Sequence, residues 1–195
     1  MVFLCGGPVP SRRFFRSKVL DYARTSLRDF RFFLAEDAAR DIFSHGEPAF
    51  VNIAEFEALI SDLADCVLVI PESPGSIAEL GYFSALTTIR EKLLVVNDLN
   101  FQGDESFLNL GPIELVNRHS RYRPIVQIDL RAKKPQFRPI VNRLRRYKLE
   151  IRGHFEFKKY DELPVRHRLF VIFELIYIFE STAVRTLSDR NAIIG

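Results

Sequence analysis

Short uninterrupted apolar runs alternate along this chain with longer stretches of helical spacing. Cys66-Val-Leu-Val-Ile70 is the clearest run. With no polar position, a strand there must be covered on both faces, as in the middle of a parallel sheet. Val2 to Cys5 forms a second such strand, ending in the tight turn of Gly6-Gly7-Pro8, and further strands are expected at Arg31 to Ala35, Lys92 to Asn97 and Tyr122 to Ile128. Between them, Ser11 is placed to cap an amphipathic helix running to Leu27. Helices follow from Asn52 to Leu63 and from Ile77 to Ile89. This order of strand, loop and helix specifies an α/β domain with a doubly wound, flavodoxin-like parallel sheet.

The α/β domain is expected to span residues 1–135, followed by a basic helical extension over 136–195. In that extension Ile140 to Ile151 reads as a basic amphipathic helix, and Val165 to Leu187 as a strongly apolar helix that needs a surface to cover. Hydrophobic residues make up 47% of the 195 positions and charged residues 27%, the balance of a folded globular chain. No apolar run reaches membrane-spanning length, since Leu169 to Phe179 is interrupted by Glu174; the expected compartment is the cytoplasm. Cys5 and Cys66 lie in strand-like runs and are expected to be buried, reduced thiols without chemistry.

The net charge of +3 conceals a segregation. Ten acidic residues and one base, Arg40, lie between Glu36 and Glu79, whereas nine Lys or Arg residues face Glu150 alone between Arg131 and Arg152. Arg138, Arg143, Arg145, Arg146 and Lys148 are thus candidates for contact with nucleic acid, against the plainer reading of a solvated helix face.

In an open parallel sheet, ligands bind beyond the C-terminal strand ends. Three unusual segments fall there: Gly6-Gly7, Glu36-Asp37 and Glu72 to Ser76. Ser73, Gly75 and Ser76 open a helix whose unpaired N–H groups suit a phosphate or ribose oxygen, or form a simple cap. Glu79 is the only formal charge between Glu72 and Arg90, in a helix with almost no polar face that is expected to be buried on most sides. A carboxylate so placed has a partner or a task. It is read as a nucleophile or general acid/base, with Glu72 or Asp37 beside it. The four histidines lack metal-ligand spacing and no metal is expected; G-x-G-x-x-G, Walker A and H-E-x-x-H patterns are absent.

The segment Val67-Leu-Val-Ile-Pro-Glu-Ser-Pro-Gly-Ser-Ile-Ala-Glu-Leu-Gly-Tyr-Phe83 resembles the nucleoside 2-deoxyribosyltransferase-like superfamily, and in particular the bacterial retron effector proteins that carry such a domain. Phe3-Leu-Cys-Gly-Gly7, Glu36-Asp37 with Asp41, and Ser106-Phe-Leu-Asn-Leu-Gly-Pro112 carry the same resemblance across residues 1–130. It implies that Glu79 attacks the anomeric carbon of a nucleotide or of NAD, which is then a substrate and not a cofactor. The Pro-Glu-Ser-Pro-Gly-Ser loop replaces the Asp-rich loop of many transferases and favours a hydrolytic antiphage toxin. Further implied are a reverse transcriptase and a branched multicopy RNA–DNA product that hold the effector inactive, and a C-terminal part like the start of a winged-helix domain. Related folds complete the pocket from a neighbouring subunit, which implies a homo-oligomer or higher assembly with Asn109 as the contributing residue. The alternative is a module of the same fold that senses a nucleotide without turnover. The P-G-G-x-G-T-x-x-E pattern of cytokinin-activating phosphoribohydrolases is not met at Pro71 to Glu79, and a purely structural nucleic-acid adaptor would need the basic segment but not Glu79.

Overall fold

The computed structural model describes residues 1–9, 11, 13–36, 52–150, 162, 163 and 168, and the side chains of these except 147–150. Contacts divide the chain into two compact units, Met1–Gly153 and His154–Gly195; the first contains everything described below. Apart from Arg168, the expected helix over 165–187, and with it the winged-helix likeness, lies outside the described residues, as do Asp37 and Asp41.

Five parallel strands form the sheet: β1 (Val2–Cys5), β2 (Phe32–Phe33), β3 (Cys66–Val69), β4 (Leu93–Asp98) and β5 (Val126–Ile128), in the order β2-β1-β3-β4-β5. β1 and β3 pair from Val2 opposite Cys66 to Cys5 opposite Val69. All residues of β1, β3 and β4 are buried, as the unbroken apolar runs of β1 and β3 require; β4 ends in the buried polar pair Asn97 and Asp98. Six helices are seen among the described residues: α1 (Phe15–Ser26), α2 (Ile53–Leu63), α3 (Pro74–Ala85), α4 (Thr87–Arg90), α5 (Glu114–His119) and α6 (Arg138–Glu150).

The helices divide between the two faces of the sheet because alternate strand residues point to opposite sides. Val2, Leu4, Leu68, Ile70, Leu94 and Val96 form one core with Phe15, Val19 and Leu20 of α1 and with Ile140, Val141 and Leu144 of α6. Phe3, Cys5, Val67, Val69, Leu93 and Val95 form the other with Phe56 of α2, Leu80 and Phe83 of α3, Ile89 of α4 and Val116 of α5. Helices on both faces of this sheet order make the fold doubly wound and flavodoxin-like. The basic helix α6 is therefore an integral layer of the α/β unit. No helix among the described residues is long and apolar enough to cross a membrane.

Two local departures from the sequence reading have physical causes. The stretch expected as one helix over 77–89 begins earlier, at Pro74, under a capping box between Ser73 and Ser76, and breaks at Leu86 into α3 and α4. α3 is not buried on most sides: Leu80 and Phe83 are buried, but Ile77, Ala78, Tyr82 and Ala85 are exposed. Asn109–Ile113, which contains Gly111 and Pro112, is a π-helical turn leading into α5. Its wider spacing accommodates a proline that has no N–H to give.

Candidate active site

The order β2-β1-β3 places the topological switch point between β1 and β3, and Glu72, just beyond β3, closes it. Its carboxylate accepts hydrogen bonds from the backbone N–H groups of Gly7 (3.1 Å), Phe15 (2.5 Å) and Arg16 (2.9 Å). Ser11 is not the cap of α1. Phe14 holds the N-cap position and offers no side-chain acceptor, so the orphan donors of the first turn are met from across the switch point by an anion that also suits the helix dipole. Glu72 thus binds the β1 exit, the start of α1 and the β3 exit into one frame.

The two glycines admit close packing at that exit. A Cβ on Gly7 would lie 2.2 Å from the ring of Phe14, and one on Gly6 would lie 2.8 Å from Cβ of Arg16. The Arg16 side chain runs over Gly6 and is only 6% exposed. Its guanidinium donates to the carbonyls of Gly7 (3.3 Å) and Leu4 (2.9 Å) and forms an ion pair with Glu36 at 2.8 Å. A buried cation with one exposed carboxylate partner and two carbonyls still projects a positive field, and the remaining acids gather in it.

Those acids are Glu79 on the second turn of α3 and Glu57 on α2. Burial raises the Glu79 carboxyl above its ordinary range; the Arg16 guanidinium opposes this, Glu36 adds to it, and a hydrogen bond from the Cys5 thiol opposes it. Oε2 of Glu79 is buried and, among the described residues, has no hydrogen-bond partner. Glu57 is pushed up to about 7, first by burial, then by the charges of Glu79 and Glu36, against the pull of Arg16. Cys5 is held well above the usual thiol range by its burial and by Glu79 and Glu57, so it stays protonated and serves as a donor. The result is a cluster of three carboxyl groups around one guanidinium, in which two carboxyls titrate differently from a free glutamate. Raised carboxyls gathered in this way are candidates for acid–base work.

The other candidates from the sequence have these positions. Ser76 is fully buried; its hydroxyl accepts from the N–H groups of Glu72 and Ser73 and donates to the Ser73 carbonyl, which makes it the clasp of the loop. The Ser73 hydroxyl accepts from the Ser76 N–H, and Gly75 faces open space. Asn109 donates through Nδ2 to the carbonyls of Phe101 and Asp104, both at 2.9 Å, and so ties down the segment after β4. Among the basic residues, Arg138, Arg145 and Arg146 are exposed and Arg143 is half-buried, while the side chain of Lys148 lies outside the described residues. No group of His, Cys, Asp or Glu able to hold a metal ion occurs among the described residues.

Arg16, Glu57 and Cys5 were missed, although two of them left a trace. Arg16 stands one helical turn before Val19 and Leu20 and two before Ala23, all buried, so it lies on the apolar stripe of α1. Glu57 stands likewise before Ser61 and Ala64, both fully buried. A charge in the buried phase of an amphipathic helix was the available signal. Cys5 carried none.

Comparison with known proteins places the chain. Two curated Escherichia coli proteins are similar to it: "Retron Ec73 putative ribosyltransferase/DNA-binding protein", 35% identical over 124 residues, covering 62% of this chain and 39% of the relative, and "Retron Ec86 putative ribosyltransferase/DNA-binding protein", 31% identical over 118 residues, covering 60% and 37%. The matched part spans well under half the length of either relative. The family described as STM3845 retron effector protein matches residues 12–194, nearly the whole chain, and the protein therefore belongs to that retron effector family.

Proposed function

We propose that this effector cleaves the N-glycosidic bond of a nucleotide or of NAD, with Glu79 as the catalytic carboxylate of a nucleoside deoxyribosyltransferase-like domain. The observation that carries the reading is the carboxyl cluster at the switch point, where Glu79 presents a buried oxygen with no hydrogen-bond partner among the described residues and the Glu57 carboxyl is pushed up to about 7. The names of the two relatives as ribosyltransferases support the same class of chemistry.

Cleavage then runs in two balanced steps. Glu79 attacks the anomeric carbon as the C–N bond breaks, its negative charge stabilising the oxocarbenium character of the sugar, and a glycosyl ester forms. A departing purine or pyrimidine takes its proton from Glu57; nicotinamide leaves as a neutral molecule and needs none. Water then attacks the anomeric carbon as its proton passes to ionised Glu57, which has just given its proton to a departing base or, with NAD, is the fraction already ionised near neutral pH, and the bond to Glu79 breaks to release the carboxylate and the free sugar. Arg16 positions the acids and favours the ionised form of Glu79 against its burial, and Cys5 donates to the Glu79 carboxylate. Glu72 frames the site through the backbone. NAD or the nucleotide is the substrate, and no cofactor enters. In the retron setting we assign the activity to antiphage defence, restrained by a reverse transcriptase and its branched RNA–DNA until infection.

The test incubates wild type and Glu79→Gln, each with and without the reverse transcriptase and branched RNA–DNA, with NAD and a panel of nucleotides, and follows free base or nicotinamide by chromatography. The reading expects release by the wild type, suppressed in the complex, and about a thousandfold or greater loss in Glu79→Gln with ligand binding kept. Binding without release in every condition would instead identify a nucleotide-sensing module.

A further inference from the structure

At the opposite end of the sheet from the carboxyl cluster, the chain assembles a basic cleft. The segment leading into β5 supplies His119, Arg121 and Arg123, and α6 supplies Arg143 and Arg146. Two adjoining hollows of about 420 and 380 Å³ share Arg146 as a common wall. One carboxylate, Glu91, lines them. β4, six residues long, separates this edge from the catalytic one by about 20 Å.

Arg123 and Arg143 are held in place by backbone carbonyls. Arg143 donates to the carbonyl of Arg123 (3.1 Å), Arg123 to the carbonyl of Arg118 (3.0 Å), and Arg121 to the carbonyl of Asp65 (3.1 Å). A bond to a carbonyl fixes a guanidinium without cancelling its charge, and leaves Arg123 and Arg143 further N–H donors in the planar fork. Among the described residues no carboxylate forms an ion pair with Arg123, Arg143 or Arg146. Arg143 and Arg146, three residues apart, share one face of α6, and their positions are fixed by the burial of Ile140, Val141 and Leu144 beneath them. The amides of Gln127 and Asn142 line the same cleft, and Oε1 of Gln127 is buried without a partner among the described residues. Oriented guanidinium groups beside neutral amide donors and acceptors suit a phosphodiester backbone with its bases alongside.

We infer that this cleft is a nucleic-acid binding site of the α/β unit itself, gripping the phosphodiester backbone between the β5 entry segment and α6. It narrows the basic candidates to Arg143 and Arg146, adds Arg121 and Arg123, and excludes Arg138 and Arg145 from the lining. The inference does not depend on Glu79 or on any turnover.

The experiment measures anisotropy of labelled single-stranded DNA and RNA of mixed sequence against salt concentration, for the full chain and for two triple variants of equal charge change. Arg123→Glu/Arg143→Glu/Arg146→Glu alters the cleft; Lys133→Glu/Lys134→Glu/Arg138→Glu alters exposed basic residues outside it. Circular dichroism verifies that both fold. The cleft variant is expected to lose about tenfold or more in affinity and to flatten the salt dependence by about 2 in the log–log slope, as three phosphate contacts at about 0.7 each require, with the outside variant near wild type. DNA and RNA distinguish the source of the backbone, and tight binding of either with that pattern supports the site. Equal losses in both variants, or no binding to either nucleic acid, overturns it.

Discussion

Replacing Glu57 by glutamine tests the electrostatics of the cluster without any substrate. In the folded protein this carboxyl titrates at about 7 against an ordinary 4.5, raised chiefly by burial. A group whose folded pKa is raised contributes stability that is fully present below its unfolded pKa and is lost as pH rises through the folded value, here between 4.5 and about 7. That displacement corresponds to at most about 3 kcal/mol. Glu57 is partly exposed, and solvent screening reduces the figure to about 1–2 kcal/mol. Glutamine mimics the protonated acid, so Glu57→Gln should match wild type near pH 4.5 and exceed it by about 1–2 kcal/mol above about pH 8. Urea denaturation midpoints across that range measure the difference, provided the slopes agree. A constant difference at all pH values, or a variant weaker at alkaline pH, would refute a Glu57 carboxyl raised by its burial in this cluster.

Three further results follow from the same geometry. Glu72→Ala removes the acceptor of three backbone N–H groups and is expected to cost about 2–4 kcal/mol in thermal or urea unfolding; lost turnover with unchanged stability would make Glu72 a reacting group and not a frame. Gly6→Ala pushes against the Arg16 stem at 2.8 Å and should raise the Glu57 titration seen by carbon-detected NMR, because the guanidinium that opposes it is displaced. For a nucleotide substrate, base release by wild type should fall about tenfold per pH unit above about 7, as Glu57 loses its proton, whereas nicotinamide release in a single turnover should lack that alkaline limb.

The fold was legible because the strongest signals in the sequence are also its strongest physical constraints. Runs such as Cys66 to Ile70 have no stable place except a sheet covered on both faces, and the helices between them could lie only on those faces. The helix around Glu79 was legible as an element but not as a surface, since apolar composition does not say whether Ile77 and Tyr82 are covered; among the described residues both stay exposed. Glu72 stood out by position, yet its three N–H donors come from residues more than fifty positions earlier, a pairing that only the parallel register of β1 and β3 creates. Glu57 was hidden for the same reason. Its proximity to Glu79 arises from α2 and α3 packing on one face of the sheet, while in sequence it is one acid among ten.

The central claim is that Glu79 is the group that attacks the sugar. Wild type and Glu79→Gln would be mixed with a substrate for which base release has been seen, quenched within one turnover, digested, and the peptide containing residue 79 weighed by mass spectrometry. The account predicts a peptide heavier by one sugar in wild type, attached through Glu79, with neither adduct nor rapid base release in Glu79→Gln. Base release by Glu79→Gln at the wild-type rate would contradict it.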